Sequence, residues 1–157
     1  REYAHLLEGD PAYAAKAARV TLLSRDIGEV IAAEKTPLTA LLQKSAAAGR
    51  RKIAFHSPCS LQHGLRVRGA VEEILQAAGF ELAPVADGHL CCGSAGTYSV
   101  LQPDISLRLR ENKLKCLQAG APAAIASANI GCIAHLQGGT DTPVAHWIEL
   151  LDRRLGE

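Results

Sequence analysis

The sequence has no methionine and few aromatic residues: phenylalanine, tryptophan and tyrosine make up 4% of its 157 residues. So few rings argue against a surface that stacks nucleobases and against a pocket with aromatic walls. Charges of the two signs nearly cancel, with 17 lysines and arginines against 16 aspartates and glutamates. We therefore do not expect the chain to bind a nucleic-acid backbone or a membrane surface. The missing methionine and the arginine at position 1 predict a piece of a longer polypeptide.

Other features that would define a function class are also missing. No apolar run approaches the ~18 residues of a membrane-spanning helix, and the N-terminal stretch lacks the order of a signal peptide. No glycine-rich dinucleotide motif, phosphate-binding loop or spaced Ser-His-Asp set occurs. Hydrophobic residues make up 48% of the chain, which is enough to build a buried core. We therefore expect a soluble, cytoplasmic globular protein.

The pattern of apolar residues changes near residue 50. Before it, the spacing predicts three helices, over 11–24, 26–33 and 37–48. After it, short apolar runs alternate with loops and amphipathic helices, which is typical of parallel βαβ units. We therefore predict a helical segment over 1–50 and an α/β domain over 51–157, with a four-stranded parallel sheet and helices on both faces. Strands are predicted over 52–57, 81–85, 123–127 and 143–146, and helices over 65–78, 104–119, 132–137 and 147–155.

Four of the five cysteines follow predicted strands. Cys59 comes just after the first strand and Cys132 after the third, while the adjacent pair Cys91 and Cys92 follows the second. Because the carboxyl ends of parallel strands meet at one edge of a sheet, we expect these thiols to converge. Cys116 lies inside the predicted helix 104–119 and is expected in the core. An odd number of cysteines in a cytosolic chain indicates metal or redox chemistry rather than a disulfide scaffold.

The type of chemistry follows from the thiols. Thiolates suit zinc or an iron–sulfur cluster, whereas magnesium or calcium would need oxygen ligands. The adjacency of Cys91 and Cys92 favours several metal atoms, because neighbouring side chains in extended backbone point apart. Gly93 and Gly96 would let the backbone pass close to a cluster. Four buried unligated cysteines, or a disulfide between Cys91 and Cys92, are the alternatives.

The basic residues of helix 104–119, Lys113 among them, are expected on a solvated face.

Several short motifs resemble one known family. The runs HSPCSLQHG at 56–64, CCGSAGTYS at 91–99, ANIGC at 128–132 and HWIELL at 146–151 resemble the cysteine-rich CCG domain. The likeness covers essentially the whole chain and is strongest to the members found in glycolate oxidase complexes. It implies an iron–sulfur domain that carries electrons from a flavin subunit to an acceptor. It also implies contacts with flavoprotein subunits and with the rest of its own parent chain, association with a membrane only through that complex, and no substrate turnover by the fragment alone.

The spacing of the cysteines departs in part from the family pattern. That pattern consists of one cysteine, a Cys-Cys-Gly motif and a Cys-x-x-Cys motif. Just over thirty residues separate the first cysteine from Cys-Cys-Gly, and a number in the mid-thirties separates Cys-Cys-Gly from Cys-x-x-Cys. Here 31 residues separate Cys59 from Cys91, but 39 separate Cys92 from Cys132. His135 stands where the heterodisulfide reductase branch has its last cysteine. In that branch the resemblance implies a non-cubane [4Fe–4S] cluster on five cysteines; an ordinary [4Fe–4S] cluster needs only four.

The predicted metal ligands are the four converging cysteines and one histidine: Cys59, Cys91, Cys92, Cys132 and His135. Four further residues are expected to support them by hydrogen bonds or close approach of the backbone: His56, His63, Gly93 and His146. The expected cofactor is an iron–sulfur cluster of the [4Fe–4S] type, which a recombinant fragment can lose, with zinc as the alternative. A zinc-binding or metal-free site would make the domain a structural docking module. A thiol–disulfide enzyme that uses Cys91 and Cys92 is a third hypothesis.

Overall fold

The computed structural model describes residues 2–34, 38, 41, 42, 44 and 49–156. Helices α1 (Tyr3–Leu6), α2 (Ala14–Leu23) and α3 (Ile27–Ala33) precede the sheet, and the described residues between 38 and 44 are helical as well. Asp26 begins α3 with a capping box, because its carboxylate accepts from the Gly28 N–H while its own N–H donates to Glu29. This confirms the predicted helix start. The helix predicted over 37–48 lies mostly outside the described residues.

Four parallel strands form the sheet: β1 (Arg51–His56), β2 (Phe80–Leu82), β3 (Ala124–Ser127) and β4 (Val144–His146). Their order across the sheet is β2-β1-β3-β4. The helices of this part of the chain are α4 (Ala70–Ala77), α5 (Tyr98–Leu101), α6 (Pro103–Gln118), α7 (Ile130–Gln137) and α8 (Trp147–Leu155). The predicted α/β class and parallel sheet are confirmed. In the described residues, no helix combines the length and the hydropathy needed to cross a bilayer.

Helices cover both faces of the sheet. Ile53 and Phe55 of β1 pack in one hydrophobic cluster with α4 and α8. Ala54, between them, belongs to a second cluster with residues of α6 and α7. Because successive side chains of a strand point to opposite faces, His56 falls on the same face as Ala54. The last residue of β1 is thereby aimed toward α6 and α7.

Two expectations about helices were wrong. The helix predicted over 65–78 is shorter: a π-helical turn at Ser60–Gly64 follows β1, and α4 begins only at Ala70. Arg66 and Gly69 have positive φ angles of 58° and 79°, which break the helical path between them. Lys113 of α6 does not lie on a solvated face, since it is only 1% exposed. The side of α6 that carries Lys113 packs against the loop after β2.

Candidate metal centre

Loops at the carboxyl ends of β1, β2 and β3 line one cleft of about 580 Å³. It contains four of the five cysteines: Cys59, Cys91, Cys92 and Cys132. These thiols therefore meet at the edge of the sheet to which the strand pattern assigned them. Cys116 lies on α6, is half-buried and does not line this cleft. We call this space the thiol cleft.

The cysteines of the thiol cleft form two close pairs. Cys92 and Cys132 are buried with their Sγ atoms within 4.8 Å of each other, whereas Cys59 lies beside Cys91 nearer the solvent. The Cys91 Sγ accepts a hydrogen bond of 3.3 Å from the Gly93 N–H. The two adjacent cysteines thus face one cleft but have different sulfur partners. This arrangement suits ligation of different metal atoms better than ligation of a single ion.

The thiols differ in acidity. The Cys132 thiol donates to Cys92 and lowers the pKa of Cys92 to about 4, against the opposing effect of burial and with help from the nearby His56 ring. The same pairing, together with burial, raises the pKa of Cys132. Burial, and then the neighbouring Cys91, raise the pKa of Cys59. The geometry therefore favours a thiolate at Cys92, and the thiolate is the form in which cysteine binds metals.

His56 lies inside the site. One of its ring nitrogens and the Sγ atoms of Cys92 and Cys132 all lie within 4.8 Å of one another. The residue is 1% exposed, and neither ring nitrogen reaches a partner at ordinary hydrogen-bond distance among the described residues, although the ring is near enough to the Cys92 Sγ to lower the pKa of that thiol. Buried polar groups are normally paired, so a metal or an acceptor sulfur in this cleft would satisfy a donor that the rest of the described protein leaves unsatisfied.

Ser127 is a second buried polar group at this edge. It ends β3 in register with His56 on β1, and its Oγ is buried with no partner among the described residues. Ser127 could not be identified from the sequence, because a single serine at a strand end has no chemical signature. The signal that was available is its position, since it precedes Cys132 by five residues and shares the strand end with the thiols.

His135 contacts the Cys-Cys-Gly turn from behind. The Ser106 hydroxyl on α6 donates to the Gly93 carbonyl at 2.8 Å, and the His135 Nε2 lies 3.2 Å from the same hydroxyl. Because the hydroxyl proton is committed to Gly93, Nε2 is the donor in the second bond. The imidazole is thus engaged by Ser106 and lies outside the group of three donors around Cys92. These contacts fix the turn that carries Cys92.

Asn129 joins two loops of the site. It begins α7, and its side-chain carbonyl accepts from the Cys132 N–H at 3.2 Å. Its amide nitrogen donates to the Ser60 hydroxyl at 3.3 Å. Since Ser60 follows Cys59, this side chain sets the distance between the loops that carry Cys59 and Cys132.

The other two histidines expected near the site have different positions. His146 begins α8, where its Nδ1 accepts from the Ile148 N–H at 3.3 Å. His63 is exposed and lines a neighbouring cleft of about 440 Å³, together with Arg68 and His89. Neither histidine lines the thiol cleft: His146 caps α8, and His63 lines the neighbouring cleft.

One known protein family matches the part of the chain that builds the thiol cleft. The cysteine-rich domain CCG matches residues 53–137, which is more than half of the chain and includes all the cysteines of the thiol cleft. The chain belongs to the CCG family. The family predicted from the four sequence motifs is thereby confirmed. The CCG match begins in β1 and ends with α7, so the matched segment contains the three strands and the loops that build the cleft.

Curated relatives of this CCG domain include a glycolate oxidase subunit and lactate utilization proteins. The glycolate oxidase iron-sulfur subunit of Escherichia coli (strain K12) is 44% identical over 155 residues, which are 99% of this chain and 37% of that protein. Lactate utilization protein A of Anoxybacillus flavithermus is 28% identical over 162 residues, 98% of this chain and 65% of that protein. Lactate utilization protein A of Exiguobacterium sp. is 31% identical over 166 residues, which are 97% of this chain and 62% of that protein. The chain spans less than two thirds of the length of each of these relatives.

Proposed function

We propose that this CCG domain binds an iron–sulfur cluster in the thiol cleft and transfers electrons within a complex that oxidises a 2-hydroxy acid such as glycolate. The observation that carries the proposal is the meeting of four thiols, from three separate βα loops, in one cleft. Thiolates are the usual protein ligands of iron–sulfur clusters. In addition, a relative that matches nearly the whole chain is named an iron-sulfur subunit.

The donor set fits a cluster of the [4Fe–4S] type. Four thiols around about 580 Å³ provide one ligand for each of four irons, and the proposed ligands are Cys59, Cys91, Cys92 and Cys132. His56 and Ser127 place buried polar atoms without partners at the same edge, where they can donate to sulfur. When bound, a cluster supplies one-electron transfer. The protein's own part is to hold the thiolates and to fix the loops that carry them.

The names of the relatives support partners within an oxidoreductase complex, and the flavin subunit among them is what the family resemblance implies. A glycolate oxidase subunit and lactate utilization proteins are similar to this chain. We infer a flavin-containing subunit as the electron donor and the remainder of the parent chain as a further partner. Substrate oxidation is assigned to the flavin subunit, so this domain alone is expected to show no turnover. The cytoplasmic location stays a prediction.

One observation favours a second candidate function. His56, Cys92 and Cys132 offer three ligand atoms within 4.8 Å, a set that zinc accepts when a further cysteine completes a tetrahedron. Such a domain would be a structural docking module of the same type of complex. Zinc has no one-electron chemistry, so the two candidates differ in a measurable property.

Metal analysis separates the two candidates. After anaerobic purification we expect about four irons and about four acid-labile sulfides per chain, with an EPR signal that changes on dithionite reduction. The four-thiol cleft is the reason for that stoichiometry. One zinc per chain, no sulfide and no signal would contradict the electron-transfer proposal and support the docking module.

Variants of His135 test whether its ring is a ligand or supports the turn. We propose the supporting role, because Nε2 donates to Ser106 and Ser106 donates to Gly93. His135→Gln keeps a side-chain donor and should retain most of the iron, whereas His135→Ala should lower the free energy of unfolding by about 1–2 kcal/mol. Iron content, EPR and chemical denaturation measure these effects. A changed EPR signal with lower iron in His135→Gln would instead identify the ring as a ligand.

A further inference from the structure

Lys113 of α6 is a buried cation that contacts the loop leading to Cys91 and Cys92. It is 1% exposed, and its Nζ donates to the backbone carbonyls of Asp87 at 3.1 Å and Gly88 at 2.9 Å. Those carbonyls belong to the loop that continues into Cys91 and Cys92. Among the described residues no carboxylate lies within ion-pair distance of this nitrogen. The ammonium therefore has neutral partners only.

A buried ammonium of this kind needs a nearby negative charge. Carbonyl groups solvate it only in part, and removing a charge from water is costly unless an opposite charge is close. Burial lowers the pKa of Lys113, while thiolates at Cys116, Cys92 and Cys59 oppose that shift, as does the Asp87 carboxylate. Two of these three thiols line the thiol cleft. The proposed metal centre, which would gather the charges of Cys92 and Cys59, is therefore a compensating anion in addition to Cys116.

The surrounding contacts fix the ammonium relative to the thiols. The Gln62 side chain, in the π-helical turn, donates to the Ser57 carbonyl at 2.8 Å and to the Gly88 carbonyl at 3.5 Å. Gly88 thus receives donors from the loop after β1 and from α6. Lys113 is therefore held where these elements meet, at the start of the loop that leads to Cys91 and Cys92.

We propose that Lys113 is a positioning residue whose charge makes the cluster of the thiol cleft easier to reduce. This inference rests on the proposed function, because it assigns a residue that sets the reduction potential of the proposed cluster. A fixed positive charge favours the reduced cluster, which carries one more electron than the oxidised form. In the test below, dithionite supplies that electron.

Variants at position 113 and a matched control measure the effect. Lys113→Gln and Lys113→Met remove the charge, Lys113→Arg keeps it, and Lys115→Gln removes an exposed charge two residues along the same helix. The full chain is loaded anaerobically, and EPR-monitored redox titration gives the midpoint potential. We expect the ratio of reduced to oxidised cluster at the wild-type midpoint to fall about tenfold in both uncharged variants, about 59 mV for one electron. Lys113→Arg and Lys115→Gln should stay within about twofold.

Several outcomes would overturn the inference. Wild-type midpoint potentials in both Lys113→Gln and Lys113→Met would do so. A shifted potential in Lys113→Met alone would also do so, because glutamine keeps a donor for the loop carbonyls and lacks only the charge. If both uncharged variants lose iron, retention by Lys113→Arg supports a requirement for charge, and loss from Lys113→Arg contradicts it. A wild-type chain without iron and sulfide would contradict the proposed function itself. If the wild-type chain binds the cluster but its midpoint potential is the same with and without a charge at position 113, only the role of Lys113 is contradicted.

Discussion

Cys92→Ser is expected to abolish cluster binding, with iron and sulfide falling to background and the EPR signal of the reduced protein lost. Cys92 is 1% exposed, and its Sγ lies within 4.8 Å of the Cys132 Sγ and a His56 ring nitrogen. The hydroxyl of serine is a hard ligand that ionises far less readily than a thiol, so it replaces a soft thiolate poorly. Anaerobic loading followed by iron and sulfide analysis, with EPR before and after dithionite, measures the loss.

Cys116→Ser is the matched control for this change. Cys116 lies on α6, half-buried and outside the thiol cleft, so the same atom replacement there should leave iron content and the EPR signal unchanged. Both variants should remain folded, because serine is close to cysteine in size, and thermal unfolding checks this. Full iron in Cys92→Ser, or an equal loss in the two variants, would contradict the assignment of Cys92 as a ligand.

The convergence of the thiols could be predicted because it depends on topology alone. Once the strands are placed, parallel order brings the residues after each strand to one edge. Cys59 and Cys132 follow β1 and β3, which are hydrogen-bonded neighbours, so their meeting needs no knowledge of side-chain packing. The position of His56 was predictable for the same reason, since alternation along β1 directs it to the face of Ala54. Sequence analysis assigned it only a supporting position.

The contacts of α6 could not be predicted from sequence. Lys113 and Ser106 are polar residues in a helix whose other polar residues are exposed apart from the half-buried Arg110, and composition alone predicts a solvated face. Both are buried because the long loop after β2 folds back over α6, so Gly93 accepts from Ser106 and Gly88 from Lys113. The rotation of a helix under a loop depends on long-range packing rather than on local spacing. The same packing places His135 against Ser106, although the resemblance to the family pattern predicted a ligand at this position.

The packing of that loop makes Gly93→Ala the substitution with the largest expected effect on the fold of the site. A Cβ at this position would lie 2.3 Å from the Ser106 carbonyl oxygen and 3.1 Å from the His135 Nε2, and the backbone φ is +93°. Left-handed backbone strain and a forced shift of α6 each oppose the change. We expect the free energy of unfolding to fall by about 2–5 kcal/mol and the iron content to drop with it. Chemical denaturation and iron analysis measure the two effects.

Gly69→Ala separates strain from steric overlap in this prediction. Gly69 also has a positive φ, of +79°, but a Cβ there would meet no atom within 4 Å, and the residue lies outside the thiol cleft. The control should therefore lose only the cost of left-handed backbone, about 1–2 kcal/mol, and keep its iron. Equal destabilisation of the two variants would mean that strain alone explains the glycine at 93, and that the contact with Ser106 does not hold the turn. A larger loss at 93 with full iron would mean that the turn can move without releasing the thiols, so Ser106 and His135 would not be needed to position Cys92.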